Sequence, residues 1–454
     1  MAQALQYFST NGKAPIVSFK DALIKGLAHD GGLFMPQYIP QFTVAEIDSF
    51  SSKAYHEIAF EVLHKFLQDE IPAETLRAIT KDAYDFAVPL EKVIDRKYIM
   101  RLDQGPTASF KDFAARMMGR LMEYFLEQEN KQVLILAATS GDTGSAMANA
   151  FFGLKNVKML VLFPIAEVTE RQRKQMTTLN GNITVTALDG KFDDCQTLVK
   201  QAFGDSDLTY LNMTSSNSIN IGRLIPQIVY YFWAFSQLRK AGLKEEIVFS
   251  VPSGNFGDLM GGVLGKRMGL PVKRFIVATN ANDEFPQLLK TGKYNKIEPS
   301  KNCLSSAMNV GHPSNLARLI ELYGGNMDQN GVMHKQPDFE ALRTDFFATS
   351  ISDEATSKTI KSVYDRYNVV LEPHGSVGWA ALEQYEQEVG LDKDQLIVCL
   401  ETAHPAKFPE SIRQIIGIDP ALPVSLQGLE DKEETYDRGT VNYADFKKYL
   451  QDKF

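Results

Sequence analysis

Eight short runs of β-branched and aliphatic residues, at 98–102, 133–138, 157–163, 183–188, 208–213, 246–251, 272–279 and 395–400, most constrain what this chain can fold into. Several, such as Val-Leu-Ile-Leu-Ala-Ala (133–138), are apolar throughout instead of alternating, and most are followed by residues with helical periodicity. A strand that is apolar on both sides must be covered on both sides, which is the arrangement of parallel sheets wrapped by helices. The fold class implied is α/β. In such sheets ligands sit beyond the carboxyl ends of the strands, so the chemistry is sought in the loops that leave them.

A chain of 454 residues exceeds what one hydrophobic core organises. The segment 219–240, with Ile221, Leu224, Ile225, Ile228, Val229, Phe232, Phe235 and Leu238, reads as one buried helix between two α/β units. The division expected is a mixed, mostly helical region over 1–95 with an exposed turn at His29–Gly32, α/β domains over 96–245 and 246–420, and a C-terminal extension over 421–454. A net charge of −8, with no basic block beyond the short Arg171–Lys174 cluster, argues against a nucleic-acid surface. The first residues lack the basic start and apolar core of a signal peptide, and no 18-residue uncharged apolar run occurs, so no membrane partner and a cytoplasmic location are expected. Three separated cysteines (Cys195, Cys303, Cys399) and seven unpaired histidines indicate neither a disulfide framework nor a metal site.

Lys111 lies in Pro-Thr-Ala-Ser-Phe-Lys-Asp-Phe-Ala (106–114), where the sequence marks a helix start. Ser109 and Asp112 have the spacing of a capping box, and Phe113, Met117, Leu121 and Phe125 form one apolar face behind them. An ammonium there meets the positive end of the helix dipole, which prefers anions. A lysine whose ordinary pKa is about 10.4 then loses its proton more easily, and the neutral amine is a nucleophile suited to Schiff-base chemistry. The alternative is a solvated lysine on the polar face of a surface helix.

Three loops placed after strands carry further signals. Thr139-Ser140-Gly141-Asp142-Thr143-Gly144 precedes an alanine-rich helix, and Ser140 and Thr143 can donate to a carboxylate held at its N-terminus. Asp142 is out of keeping with an anion and suits a cofactor hydroxyl or amine, or a helix cap. Ser253-Gly254-Asn255-Phe256-Gly257-Asp258 reads as a phosphate cradle, its glycines letting successive amides converge on one oxyanion, with Asp258 as an N-cap. It is neither a dinucleotide fingerprint nor a Walker A loop. In Glu401-Thr402-Ala403-His404-Pro405-Ala406-Lys407-Phe408, the Thr402 hydroxyl can meet a heterocycle nitrogen without forcing its protonation, while His404 and Lys407 either touch substrate or are surface and packing groups.

These blocks together, with Asp-Gly-Lys-Phe-Asp-Asp-Cys-Gln (189–196), resemble the threonine synthase family over nearly the whole chain. The resemblance implies two parallel-sheet α/β domains of the tryptophan-synthase-β-like (type II pyridoxal-phosphate) fold with an additional N-terminal region. It also implies pyridoxal 5'-phosphate as cofactor and conversion of the small-molecule substrate O-phospho-L-homoserine, with water, to L-threonine and phosphate by a monomer or homodimer. By the same resemblance, Lys111 holds the cofactor, Gly254, Asn255, Phe256, Gly257 and Asp258 bind its phosphate, and Thr402 faces the pyridine nitrogen. Ser140, Gly141, Asp142 and Thr143 meet the substrate carboxylate and the ring edge, and Arg223 and Lys407 grip the substrate phosphate. Asn309 departs from the family's Ala-Met-Asp-Val pattern, here Ala-Met-Asn-Val (307–310). A serine/threonine dehydratase of the same fold would share the lysine but usually has a glycine-run cradle and an asparagine where Asp142 stands.

Overall fold

The computed structural model describes residues 4–454. Its strands form four sheets. Two short antiparallel pairs, β1 (Tyr7–Ser9) with β2 (Phe34–Pro36) and β11 (Asn326–Met327) with β12 (Met333–Lys335), are peripheral. The six-stranded sheet comprises β3 (Leu90–Ile94), β4 (Lys97–Arg101), β9 (Ile247–Pro252), β10 (Val272–Thr279), β13 (Phe346–Ser350) and β14 (Leu396–Glu401). Its order is β13-β10-β9-β14-β4-β3, parallel except where β3 meets β4. The five-stranded sheet comprises β5 (Val133–Ala138), β6 (Val157–Pro164), β7 (Ile183–Leu188), β8 (Met213–Ser215) and β15 (Asp437–Gly439), parallel throughout in the order β15-β7-β6-β5-β8.

The inner strands β5, β9 and β14 are buried on both faces, which is why they are apolar without alternation, whereas the edge strands β3 and β15 carry charged residues and are partly exposed. On β5, Leu134, Leu136 and Ala138 join one cluster with Leu198, Phe446 and Leu450, while Ile135 and Ala137 join the large central core. On β4 and β14, Ile99, Ile397 and Cys399 pack with Trp379 and Leu382, while Met100, Val398 and Leu400 face the central core. That core also takes Phe113, Met117, Leu121 and Phe125 from the helix Lys111–Glu129, so its periodic face is the buried one. Among the described residues, no helix is long and apolar enough to cross a membrane.

The structure corrects four sequence expectations. The strand at 98–102 is β4; although it precedes the Lys111 helix, it is hydrogen-bonded to β14 in the six-stranded sheet, so the boundary at 96 does not separate the two sheets. The run 208–213 is a 3-10 turn over Ser206–Leu211: the Asp205 side chain caps its start, and Asn212, at φ 47°, ends it just before β8. The helix expected over 219–240 is interrupted. Helices Ile221–Leu224 and Val229–Lys240 flank a 3-10 turn containing Pro226, which has no amide hydrogen to continue the ladder. The segment after 421 is more than a surface extension, because β15 adds an edge strand and the helix Tyr443–Lys453 buries Phe446 and Leu450.

Candidate active site

Four loops meet at the carboxyl ends of β4, β5, β9 and β14. The approach to Lys111 is tied to the end of β14: the Phe110 amide donates to the Thr402 carbonyl at 2.8 Å, and Ser109 bridges to Ala403. Since β4, β14 and β9 are neighbours, Lys111, Thr402 and the loop 253–257 leave adjacent parallel strands. Ser140–Thr143 arrives from the other sheet.

Lys111 is the first residue of its helix, but no side chain caps that end. The capping box does not form. Asp112 turns back instead to accept from the Thr107 amide (2.9 Å) and hydroxyl (2.6 Å), and the buried Ser109 hydroxyl has no partner among the described residues. The backbone at Ala108, at φ 55°, already bends this segment away from the geometry a cap requires.

Asp142 is the electrostatic centre. Its Oδ2 lies 3.6 Å from Lys111 Nζ, and its Oδ1 lies 2.7 Å from Lys407 Nζ and 2.9 Å from Gln172 Nε2. Burial alone would raise this carboxyl, but the two ammonium groups hold it far below the ordinary carboxylate range. Burial is also the main influence on Lys111 and lowers its pKa. Asp142 opposes that shift, while the Lys407 and Arg223 cations reinforce it. Desolvation and the neighbouring cations thus weaken the hold of Lys111 on its proton. Asp142 opens the helix Asp142–Phe151 as an ion-pair partner and not as its cap.

In the loop around it, the Thr139 hydroxyl accepts the amides of Gly141 (2.9 Å) and Gly144 (2.8 Å). Gly141 has φ 129°, and a Cβ there would lie 2.5 Å from the Gln172 side chain, so only glycine fits. Ser140 and Thr143 are half-buried beside it.

The loop 253–257 follows β9 directly. The amides of Gly254, Asn255, Phe256 and Gly257 have no backbone acceptor among the described residues. A Cβ on Gly254 would stand 3.1 Å from Ala307 O and Met308 Cα. Phe256, at φ 61°, takes the left-handed conformation that favours glycine, held by packing of its ring on Phe285 at 5.0 Å. Such a turn before the helix Gly257–Arg267 aims successive amides at one anion. Asp258 is not its N-cap: it lies within the helix, buried, with Oδ1 accepting from Tyr230 (2.6 Å) and Tyr231 (2.8 Å), and burial raises it to about 6.

Both basic residues expected at the substrate phosphate are buried. Lys407 is fully buried, neither a surface group nor open to a ligand, because its Nζ is taken by Asp142 and by Thr107 O at 2.8 Å. Arg223 is buried with Nη1 on Ser216 O (2.8 Å), leaving Nε without a partner among the described residues, and burial lowers it to about 10. His404 accepts the Ala406 amide through Nδ1 and so caps a short turn. Asn309 Oδ1 accepts from Asn280 (3.0 Å) and the Cys303 amide (3.1 Å), bonds that an aspartate would equally accept.

Sequence reasoning missed Glu372, whose Oε1 receives the Thr402 hydroxyl at 3.4 Å. An acidic residue before Pro373 signals a helix start but gives no sign of a site. It also missed Gln172 and Thr107, which brace Asp142 and Lys407 from distant positions in the chain.

Family profiles match in sequence along the chain: threonine synthase N terminus over residues 6–84, pyridoxal-phosphate dependent enzyme over 89–403, and threonine synthase, C-terminal over 375–449. The threonine synthase of Pseudomonas aeruginosa is 38% identical over 452 residues, covering 95% of this chain and 94% of that protein. That of Escherichia coli K12 is 41% identical over 416 residues, covering 91% and 92%. Among solved structures, the pyridoxal-phosphate-bound threonine synthase from Brucella melitensis superposes with a TM-score of 0.90 at 34% identity, covering 99% of each chain.

Proposed function

The chain belongs to the threonine synthase family of pyridoxal-phosphate-dependent enzymes, and from that premise we propose how its own residues carry out the conversion of O-phospho-L-homoserine and water to L-threonine and phosphate. Pyridoxal phosphate, when bound, supplies the electron sink that acidifies the Cα and Cβ hydrogens of an amino-acid substrate.

Lys111 is the residue that holds the cofactor covalently. With its Nζ free, Lys111 would be a base beside Cα and Cβ, taking the protons whose loss lets the γ-phosphate depart and returning protons to Cγ, which ends as a methyl group, and to Cα, with water adding at Cβ. Asp142 keeps Nζ oriented, and Lys407 limits how strongly Asp142 holds the ammonium form. The amides of Gly254–Gly257 bind the cofactor phosphate, while the Asp258 carboxyl, committed to two tyrosines, stays out of that anion's way. Thr402 presents a hydroxyl to the ring nitrogen. Ser140 and Thr143, with the amides around Gly141 and Asp142, bind the substrate carboxylate, and the Arg223 cation, close enough to act on Lys111, supplies positive charge toward the leaving phosphate.

The observation that carries this reading is the pairing of a buried, pKa-lowered Lys111 with Asp142 at 3.6 Å, beside a loop of unbonded amides. Lys111→Ala is expected to abolish phosphate release from O-phosphohomoserine and covalent cofactor attachment, read by absorbance after borohydride. A Lys111→Ala protein that still turned the substrate over would sink the assignment. Keto acid release from serine or threonine in place of phosphate release would favour the dehydratase.

A further inference from the structure

Glu372 is entirely buried, and its carboxylate is shared by groups from opposite ends of the site. Oε1 accepts the Thr402 hydroxyl at 3.4 Å and the Gly375 amide at 2.9 Å; Oε2 accepts the His374 amide at 2.8 Å and the proton of His374 Nδ1. The other ring nitrogen of His374, Nε2, accepts the Ala307 amide at 3.0 Å. Ala307 and Met308 are the backbone that stands 3.1 Å from a Cβ placed on Gly254, and so form the wall of the phosphate cradle. A carboxylate needed only to cap the helix Pro373–Glu388 would be satisfied by its two amides. The side-chain donors from Thr402 and His374 are additional.

Resting on the reading of Thr402 as the residue at the pyridine nitrogen, we propose that Glu372 is a positioning residue of the reaction: it sets the direction of the Thr402 hydroxyl and, through His374, holds the cradle wall. The carboxylate competes for the hydroxyl proton, so Thr402 turns its oxygen lone pairs to its other neighbour. A hydroxyl held this way, backed by a negative charge, favours the protonated form of a nitrogen opposite it. Other charged or titratable groups face Glu372. Glu401 at the end of β14 accepts the Glu372 amide through Oε1 at 2.8 Å and has Arg101 of β4 3.8 Å away, and Asp103, Lys111, His374 and the Cys399 thiol also lie within reach of Glu372.

The test uses holoenzyme loaded with pyridoxal phosphate carrying nitrogen-15 in its ring, with two readouts: the ring-nitrogen chemical shift across pH, and the dissociation constant of the cofactor. In Glu372→Gln the ring nitrogen is expected to titrate at lower pH than in the wild type, as the negative charge behind Thr402 is lost, and the cofactor to bind about tenfold more weakly as His374 loses its hold on the cradle wall. Thr402→Val should erase the effect of Glu372→Gln on the nitrogen. His374→Gln should weaken cofactor binding while leaving the nitrogen titration where it was. Wild-type behaviour of Glu372→Gln in both readouts, or independent shifts from Glu372→Gln and Thr402→Val, would overturn the proposal. Should Glu372→Gln fail to fold, a His374→Gln protein with unchanged cofactor affinity overturns it equally. If Lys111→Ala still attached the cofactor covalently, the underlying reading would fail instead, which the borohydride experiment distinguishes.

Discussion

At the scale of single residues, the site is a problem in holding a lysine neutral next to a carboxylate. Asp142 alone would stabilise the Lys111 ammonium and make it a poor nucleophile. Lys407 prevents this by taking the nearer carboxylate oxygen at 2.7 Å, leaving Lys111 at 3.6 Å from the other. Lys407→Met removes a cation that lowers Lys111 and leaves Asp142 to Lys111 and Gln172. The pKa of the Lys111 amine in the substrate complex then rises, its neutral fraction at a given pH falls, and the acid limb of the kcat profile moves to higher pH. At pH 7 the rate should drop about tenfold, with partial recovery on the alkaline side. A uniform loss at every pH would mean that Lys407 acts on substrate and not through Asp142. The choice between cap and ion pair for Asp142 was not legible in the sequence, since both need only a carboxylate at a helix start. The partner that decides it, Lys407, is 265 positions away along the chain.

At the scale of elements, the site is a set of strand ends whose loops are shaped by one or two glycines. Gly254 has little room: Ala307 O and Met308 Cα lie 3.1 Å from its missing Cβ, and both are backbone that must shift to admit a methyl. Gly254→Ala is thus expected to weaken cofactor binding about tenfold by tilting the cradle amides, at a stability cost of about 1 kcal/mol, measured by cofactor titration alongside urea unfolding. Unchanged affinity would mean that phosphate is bound elsewhere. The strand–turn–helix over 247–267 is legible in the sequence because its signal is local: an apolar run, two glycines and a helix within a short window. The capping box at Ser109 and Asp112 was readable and wrong, because Thr107 offers Asp112 two donors at once and outcompetes the helix amide. The 208–213 run failed as a strand for a similar reason, with Asp205 and Asn212 closing a turn around residues of β-like composition.

At the scale of the whole molecule, apolar strand runs identify the α/β class, yet they cannot say which sheet a strand joins. β4 lies against β14, nearly 300 residues later, and β15 closes the edge of the five-stranded sheet from the far end of the chain. That topology divides labour. The loop 253–257 and Thr402 leave the six-stranded sheet, whereas the Ser140–Thr143 loop leaves β5, whose outer face is covered by the helix Phe192–Gly204, on which the last helix packs with Phe446 and Leu450 in the same cluster. A lesion on that outer face should therefore reach the Ser140–Thr143 loop before it reaches the loop 253–257. Leu450→Ala removes a fully buried side chain and should cost about 2–5 kcal/mol, followed as a lowered urea midpoint. The holoenzyme that remains folded is expected to keep its cofactor dissociation constant within about twofold, because no cradle residue packs there, while KM for O-phosphohomoserine rises several-fold as β5 and its loop loosen. Leu382→Ala, in the cluster behind β14 and β4, should do the reverse, weakening cofactor retention with KM nearly unchanged. If both variants lost cofactor and substrate affinity in equal proportion, the two sheets would respond as one body and the division would not hold.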